Sequence, residues 1–188
     1  MMDTYQINLL GTTQVIRLSV ATREDIETVS SILTCDWLYF WSRLDSDCEA
    51  IVKLEAEGNV QGLIHIALYP YPLQAARPEY LEIIHIETIQ SPSRLVNPVG
   101  LYLIWYAAKI SLNFDCTGND SGSVVELDAL ESAIDYYRDK VMMEGRGWIS
   151  IAPGEEGYAF RFSQAQAIEF CTRIEQQYGV PSPIGKIG

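Results

Sequence analysis

The loop Pro92-Ser-Arg-Leu-Val-Asn-Pro-Val-Gly100 carries the clearest chemical signal in this chain. It lies between a stretch with the pattern of a β-strand, 80–89, and one with the pattern of a helix, 101–112. A loop that joins a strand directly to a helix can bind an anion, because the first helical turn has unpaired backbone N–H groups and a partial positive charge. We therefore expect a phosphate-bearing ligand on this loop, although it has fewer glycines than most phosphate-binding loops.

The chain has two histidines, and strand pairing would bring them together. His65 and His85 lie in two stretches that the sequence predicts to pair as antiparallel strands. Alternate side chains of a strand share a face, so the second of these strands would present four side chains together: Ile83, His85, Glu87 and Ile89. A cluster of two histidines and a glutamate can accept a proton, directly or through a water. The alternative is a pair of hydrogen-bonded core histidines, and the set has no spacing typical of a metal site.

The composition indicates one folded domain over 1–188. Of the 188 residues, 48 % are hydrophobic and 20 % are charged, which is enough apolar material for a core. The formal net charge of −12 disfavours nucleic acid and anionic membranes and favours cationic small-molecule partners. The longest apolar run, 99–108, is well short of the ~18 residues of a membrane span, and no signal-peptide pattern is found, so we expect a cytoplasmic protein. Four widely spaced cysteines argue against disulfides or a zinc site.

The hydrophobic patterning predicts the order β–α–β–β–β–α–β–α–β–β–α. A mixed, twisted α/β sheet of about seven strands with flanking helices satisfies this order. Thr22 and Asp128 have the spacing of helix N-caps relative to the acidic residues that follow them. The core would span 15–162, with an added C-terminal helix over 163–178 and a Pro/Gly-rich tail, 180–188, that we expect to fray.

This order, with a strand, a loop and a helix at its centre, resembles the Gcn5-related N-acetyltransferase (GNAT) superfamily. In that family a proline closes the strand, and the helix opens with (Gln/Arg)-x-x-Gly-x-(Gly/Ala). Pro92 and Gly100 have the family separation. Leu95 takes the Gln/Arg position, Pro98 takes the first glycine position, and a basic residue, Arg94, lies one position early.

The resemblance implies that acetyl-coenzyme A is the co-substrate. Its pyrophosphate would bind the loop amides, and its pantetheine arm would bind the strand backbone, because in this family that strand splays from its neighbour. The residues that the resemblance implies for this binding are Ile86, Thr88, Ile89, Arg94, Leu95, Asn97, Val99, Gly100 and Leu101. Proline has no N–H, so Pro98 removes one donor from the loop. An N-cap at Asn97 followed by proline at the first helical position equally fits a helix start that binds no cofactor.

Acetyl transfer to an amine requires a neutral amine, stabilisation of an oxyanion and a proton for the leaving thiolate. The family has an aromatic–Tyr pair in a later helix, which here reads Tyr136-Tyr137 without the glycine that usually follows. By the resemblance Tyr137 would protonate the thiolate; alternatively it packs in the core on the apolar face of its helix. Glu87 or His85 would act as the base. The aromatic stretch 37–41 either covers the core or shapes the acceptor pocket.

These observations predict an acyl-CoA-dependent N-acyltransferase that uses acetyl-CoA. The acceptor would be a small-molecule or peptide amine that attacks the thioester directly. The alternative is a non-catalytic GNAT-like protein, either a sensor that binds coenzyme A or an interaction module. We expect no nucleic-acid or membrane partner, and the apolar content and the added C-terminal helix favour a homodimer.

Overall fold

A computed structural model describes residues 2–70, 78–114 and 122–184. Its strands are β1 (Tyr5–Asn8), β2 (Val15–Val20), β3 (Glu49–Ala56), β4 (Asn59–Tyr69), β5 (Tyr80–Thr88), β6 (Ser123–Leu130), β7 (Glu144–Ala152), β8 (Glu155–Ser163) and β9 (Ser182–Pro183). Its α-helices are α1 (Arg23–Val29), α2 (Trp37–Arg43), α3 (Val99–Ser111) and α4 (Gln164–Tyr178). A 3₁₀ turn, Glu131–Ala133, and a π-helical turn, Tyr136–Val141, follow β6.

The nine strands form one mixed sheet in the order β7-β8-β6-β5-β4-β3-β2-β1-β9. In the described residues β5 and β6 are the parallel neighbours, and their pairing covers only Leu81–Ile83 against Val125–Leu127. Beyond these residues the two strands diverge, as the GNAT resemblance implied. The predicted mixed α/β sheet with flanking helices is confirmed, and the added C-terminal helix is present as α4. Nine strands replace the predicted seven because β1 and β9 extend one edge.

The sheet separates two hydrophobic cores. The central helix α3 packs in the larger core and is buried on nearly every side, with Tyr102, Trp105 and Tyr106 fully buried. A helix that is apolar all round belongs inside the fold. The opposite face of the sheet is covered by α1 and α2, whose main contributions are Ile26 and Trp37. None of the helices in the described residues is both long and apolar enough to cross a bilayer.

The helix N-caps that the sequence predicts are correct at one position and wrong at two others. The predicted cap at Thr22 is a capping box at the start of α1. The predicted cap at Asp128 is wrong, because β6 pairs with β8 as far as Leu130 and this pairing outweighs local capping. The predicted cap at Asn97 is also wrong: Pro98 is the N-cap of α3, and the Asn97 side chain accepts a hydrogen bond from an arginine instead. In the tail, 182–183 pair with β1 rather than fray, and 185–188 lie outside the described residues.

A β-bulge in β5 decides which side chains share a face. His65 pairs with His85, but Ile66 pairs with Ile83, so Ile84 is an extra residue. An extra residue reverses the alternation of side chains along the strand. Ile83 therefore packs in the core around α3, whereas His85 lies on the side of α1 and α2. The prediction that Ile83 shares a face with His85 is wrong for this reason.

Candidate active site

A groove of about 650 Å³ lies where β5 diverges from β6 and α3 begins. Seven of the residues predicted for cofactor binding line it: Ile86, Thr88, Arg94, Asn97, Val99, Gly100 and Leu101. The structure places the other two, Ile89 and Leu95, outside the groove. Ile89 is buried in the core under α1, and the Leu95 backbone N–H donates to the Gln61 side chain at 2.7 Å.

The loop before α3 is held by Arg94. Its guanidinium donates to the Ile89 carbonyl at 2.8 Å, to the Thr88 hydroxyl at 3.0 Å and to the Asn97 side-chain oxygen at 3.0 Å. A planar guanidinium fork can make such divergent bonds, which a lysine cannot reproduce. Arg94 therefore braces the loop and at the same time presents positive charge to the groove that it lines.

The N-terminus of α3 opens into the groove. Pro98 gives the helix no side-chain cap, so the first-turn N–H groups of Val99, Gly100 and Leu101 have no capping oxygen. An uncapped helix start attracts anions through these donors and the helix dipole. A Cβ atom at Gly100 would lie 2.8 Å from the Tyr136 hydroxyl. Glycine here thus allows the Tyr136 ring to pack against the helix start.

Two adjacent tyrosines project from the π-helical turn. Tyr137 is 6 % exposed and lines both the groove and a neighbouring pocket. Burial, and then Tyr136, raise the pKa of Tyr137, and burial raises the pKa of Tyr136 to about 12 although Arg94 opposes this. Both hydroxyls are therefore protonated at neutral pH and can donate. The Arg173 guanidinium from α4 donates to the carbonyls of Lys140 and Val141, which fixes the end of this turn.

The neighbouring pocket, of about 410 Å³, contains His85. It shares Ile86, Ala133 and Tyr137 with the groove, so the two cavities meet beside Tyr137. Burial, and then the nearby His65, lower the pKa of His85, so that its imidazole is neutral at pH 7. A neutral imidazole can accept a proton.

The predicted proximity of the two histidines is confirmed. Their ring centroids are 6.1 Å apart with planes 12° from parallel, and Phe40 of α2 stacks on His85 at 4.0 Å. His65 is 6 % exposed, and its Nε2 lies 3.1 Å from a carboxylate oxygen of Glu49. Burial lowers the pKa of His65 despite this opposing contact. In the described residues no group of three or more His, Cys, Asp or Glu side chains could hold a metal ion.

Glu87 has a different environment from the one its strand position suggested. Its carboxylate accepts hydrogen bonds from the backbone N–H groups of Thr34, at 2.5 Å, and Cys35, at 3.0 Å, and from the Trp37 indole at 2.9 Å. Burial acts to raise the pKa of Glu87, but these bonds outweigh it and the pKa is lowered. The carboxylate anchors the segment between α1 and α2. Its role as a base stays a prediction that this geometry does not favour.

The aromatic stretch 37–41 covers the core, and its role in shaping an acceptor pocket stays a prediction. Trp37 is fully buried in the core under α2, whereas Phe40 lies against His85 and forms a wall beside that ring. Sequence reasoning missed Glu49, although the predicted β3–β4 hairpin puts it near His65. It also missed Tyr178, which reaches the groove from α4 and has no local signal.

A wider concavity of about 990 Å³ lies outside the pocket, against the β7–β8 hairpin. It shares Leu130 and Glu155 with the pocket that contains His85. Its wall includes Glu131 and Glu156 and the exposed Trp148. The groove, the pocket and this concavity therefore follow one another across the end of the sheet.

Comparisons with known proteins identify the fold. No protein-family model and no curated protein matches the chain. An uncharacterized protein from Bacillus halodurans has a TM-score of 0.67 at 8 % identity, with 93 % of this chain and 97 % of that one covered. A GNAT-family acetyltransferase from Bacillus cereus has a TM-score of 0.53 at 11 % identity, covering 79 % and 97 %.

A third solved structure is the aminoglycoside acetyltransferase AAC(6')-Ib in complex with coenzyme A and kanamycin. Its TM-score is 0.56 at 14 % identity, with 82 % of this chain and 97 % of that one covered. At such identities the likeness concerns the course of the backbone and not the chemistry of the site. The chain therefore has the fold of the GNAT acetyltransferases.

Proposed function

We propose that this protein is an acetyl-CoA-dependent N-acetyltransferase that acts on a small-molecule or peptide amine. The observation that carries the proposal is the groove between diverging strands, which ends on the uncapped start of α3. The solved structure of AAC(6')-Ib, which has the same fold, contains coenzyme A. In an acidic chain, the groove is also lined by two cationic side chains, Arg94 and Lys140.

The donors present fit a coenzyme A molecule. The first-turn N–H groups of α3, together with Arg94 and Lys140, would hold its phosphates. The side of β5 that has no partner beyond Ile83 in the described residues would bind its pantetheine arm. When bound, acetyl-CoA supplies a thioester, which is an activated acyl group. Tyr136 and Tyr178 complete the wall of the groove.

The chain's own residues would move the protons. His85, neutral at pH 7, accepts a proton from the amine in the pocket. Tyr137 holds a proton on its hydroxyl at the point where pocket and groove meet and donates it to the leaving sulfur. Cys35 also lines the pocket, but burial, and then Glu87, raise its pKa to about 11, so it is a poor nucleophile. Direct attack by the amine, without an acyl-enzyme, fits these groups.

Binding and turnover are tested separately. A thermal shift and calorimetry with acetyl-CoA measure binding; a ligand at 100 times its Kd adds about 2.7 kcal/mol of stability. Thiol release across a panel of aminoglycosides, polyamines and peptide amines measures turnover. We expect micromolar binding and release with at least one amine class. The absence of any shift at millimolar acetyl-CoA would refute the proposal.

A second candidate is a protein that binds coenzyme A without catalysis. Two observations favour it: Pro98 has no N–H, and the Leu95 N–H is already bonded to Gln61. The loop therefore offers fewer free donors than its length suggests. A thermal shift with acetyl-CoA, but no thiol release with any amine in the panel, would support this candidate over the enzyme.

A further inference from the structure

The loop before α3 has few backbone N–H groups left for an anion. Pro92 and Pro98 have no N–H. The N–H groups of Ser93 and Leu95 already donate to a carbonyl and to a side-chain oxygen elsewhere in the chain. A pyrophosphate has several charged oxygens, and each of them accepts hydrogen bonds. If this loop binds one, side chains would have to supply donors that the backbone lacks.

Two tyrosine side chains bring hydroxyl groups to the same groove. Tyr136, from the π-helical turn, and Tyr178, from the end of α4, both line it. Both rings are half-buried and pack against the larger core. Within the described residues neither hydroxyl makes a hydrogen bond, although the hydroxyl of a buried tyrosine usually has a partner. Two donors are therefore available to a ligand that enters the groove.

The Tyr136 hydroxyl lies beside the first turn of α3. A Cβ atom at Gly100 would be 2.8 Å from this oxygen, so the oxygen packs directly against the backbone of the helix start. Burial raises the pKa of Tyr136 to about 12, the Arg94 charge opposes this rise, and Tyr178 adds to it. The hydroxyl therefore keeps its proton at neutral pH and can donate. The same influences show that the guanidinium and the two tyrosines lie near one another.

The fold fixes the position of Tyr178 beside the same turn. The Tyr178 carbonyl accepts a hydrogen bond from the Leu10 N–H at 2.9 Å, and the Gly179 carbonyl accepts one from the Tyr102 hydroxyl at 2.9 Å. The rings of Tyr102 and Tyr178 pack edge to face with centroids 6.4 Å apart. Tyr102 is in the first turn of α3, so Tyr178 is held there before any ligand binds. A group held in its binding position loses less conformational entropy when the ligand arrives.

We propose that the hydroxyls of Tyr136 and Tyr178 bind the pyrophosphate of coenzyme A. They would donate to its oxygens together with Arg94 and the first-turn N–H groups of α3, and so replace backbone donors that the loop lacks. Hydrogen bonds to a charged phosphate oxygen are stronger than those between neutral groups, so two uncharged phenols are effective donors there. The identity of the ligand rests on the proposed function, whereas the two donors are features of the groove itself.

Calorimetry with tyrosine-to-phenylalanine variants tests one hydroxyl at a time. Tyr136→Phe and Tyr178→Phe keep each ring and remove only the oxygen. We expect each variant to weaken the binding of coenzyme A about tenfold, because each loses a hydrogen bond to a charged acceptor. Dephospho-coenzyme A, which has the pyrophosphate but no 3′-phosphate, should show the same loss. Neither variant should change the melting temperature of the protein without ligand, because neither hydroxyl makes a hydrogen bond in the part of the chain that the structure describes.

The matched control is Tyr158→Phe. The Tyr158 hydroxyl also lies against a glycine, 3.0 Å from the position of a Cβ atom at Gly145, but Tyr158 does not line the groove. This variant should bind coenzyme A with the wild-type Kd. A Kd raised as much in Tyr158→Phe as in the other two variants would overturn the proposal, because the loss would then not be specific to the groove.

The other outcomes are equally decisive. Wild-type affinity for coenzyme A in either Tyr136→Phe or Tyr178→Phe overturns the proposal. A loss seen with coenzyme A but not with dephospho-coenzyme A overturns it as well, because the contact would then be with the 3′-phosphate. A lower kcat at constant KM for acetyl-CoA in Tyr136→Phe would make Tyr136 the acid instead. If both variants weaken binding as expected but no amine is acetylated, acetyl transfer fails and the tyrosine contacts stand. A wild type that binds no coenzyme A overturns both.

Discussion

Replacing Glu87 by glutamine distinguishes an anchoring carboxylate from a catalytic base. In the structure the two oxygens of Glu87 accept three N–H donors, from Thr34, Cys35 and Trp37. Glutamine has one carbonyl oxygen, and its NH₂ group would face a donor, so at least one bond is lost. Hydrogen bonds to a charged group contribute about 1.5–3 kcal/mol. Because Glu87 is only part-buried, we expect the free energy of unfolding to fall by about 2 kcal/mol in Glu87→Gln.

Urea unfolding at several pH values measures this effect. The folded protein lowers the pKa of Glu87 below its ordinary 4.5. The stabilisation is therefore present above the unfolded pKa and lost as the pH falls through the folded one. The difference between wild type and Glu87→Gln should be largest at neutral pH and shrink below pH ~4. The exposed Glu169→Gln is the control and should change stability by less than ~0.5 kcal/mol. Unchanged stability in Glu87→Gln together with a lost acid limb of kcat/KM would refute the anchor and restore the base.

Four further outcomes are expected. Gly100→Ala places a Cβ atom 2.8 Å from the Tyr136 hydroxyl. It should weaken acetyl-CoA binding at least ~10-fold in calorimetry, which is about 1.4 kcal/mol. An unchanged Kd would mean that the Tyr136 ring moves freely out of the way. Arg94→Lys loses the guanidinium fork and should also weaken binding, although the charge remains. Tyr137→Phe should lower kcat about 100-fold at constant KM, and full activity would exclude it as the acid. Because the pKa of His85 is lowered from 6.5, kcat/KM should fall only below pH 6.5, and the fall should vanish in the residual rate of His85→Phe.

Elements with a strongly periodic hydrophobic pattern are predictable, because the whole pattern lies within one short stretch of the chain. The strand before the Pro92–Gly100 loop, the helix after it, the cap at Thr22 and helix α4 follow from neighbouring residues alone. The site is harder, because its geometry depends on pairing between distant strands. Because Ile84 is an extra residue in β5, Ile83 and His85 lie on opposite faces of the sheet, whereas simple alternation predicts that they share one. Glu87 accepts hydrogen bonds from donors that are 50 or more positions away in the chain, such as the Thr34 N–H.

The same dependence on distant residues distinguishes two positions of the loop, Gly100 and Leu95. The motif spacing identifies Gly100, and the structure gives a steric reason for a glycine there, because a Cβ atom would lie too close to the Tyr136 hydroxyl. The alignment of the loop with the family motif assigns Leu95 to cofactor binding. That alignment cannot reveal that the Gln61 side chain, on a separate strand, accepts a hydrogen bond from the Leu95 N–H. A motif position therefore predicts backbone geometry better than it predicts which donors are free.

The distribution of charged residues across the site would attract the two proposed substrates to different cavities. Arg94 and Lys140 line the groove at the start of α3. In the described residues the pocket with His85 is lined by Asp128 and Glu155, and neither it nor the outer concavity has a Lys or Arg in its wall. An anionic co-substrate would thus be drawn to Arg94 and Lys140 in the groove, and a cationic amine to the acidic walls of the pocket and the outer concavity, because opposite charges attract. Charge reversal at Glu155, as in Glu155→Lys, should raise the KM for the amine and leave the Kd for acetyl-CoA unchanged; equal effects on both would show that the groove and the acidic cavities are not electrostatically separate.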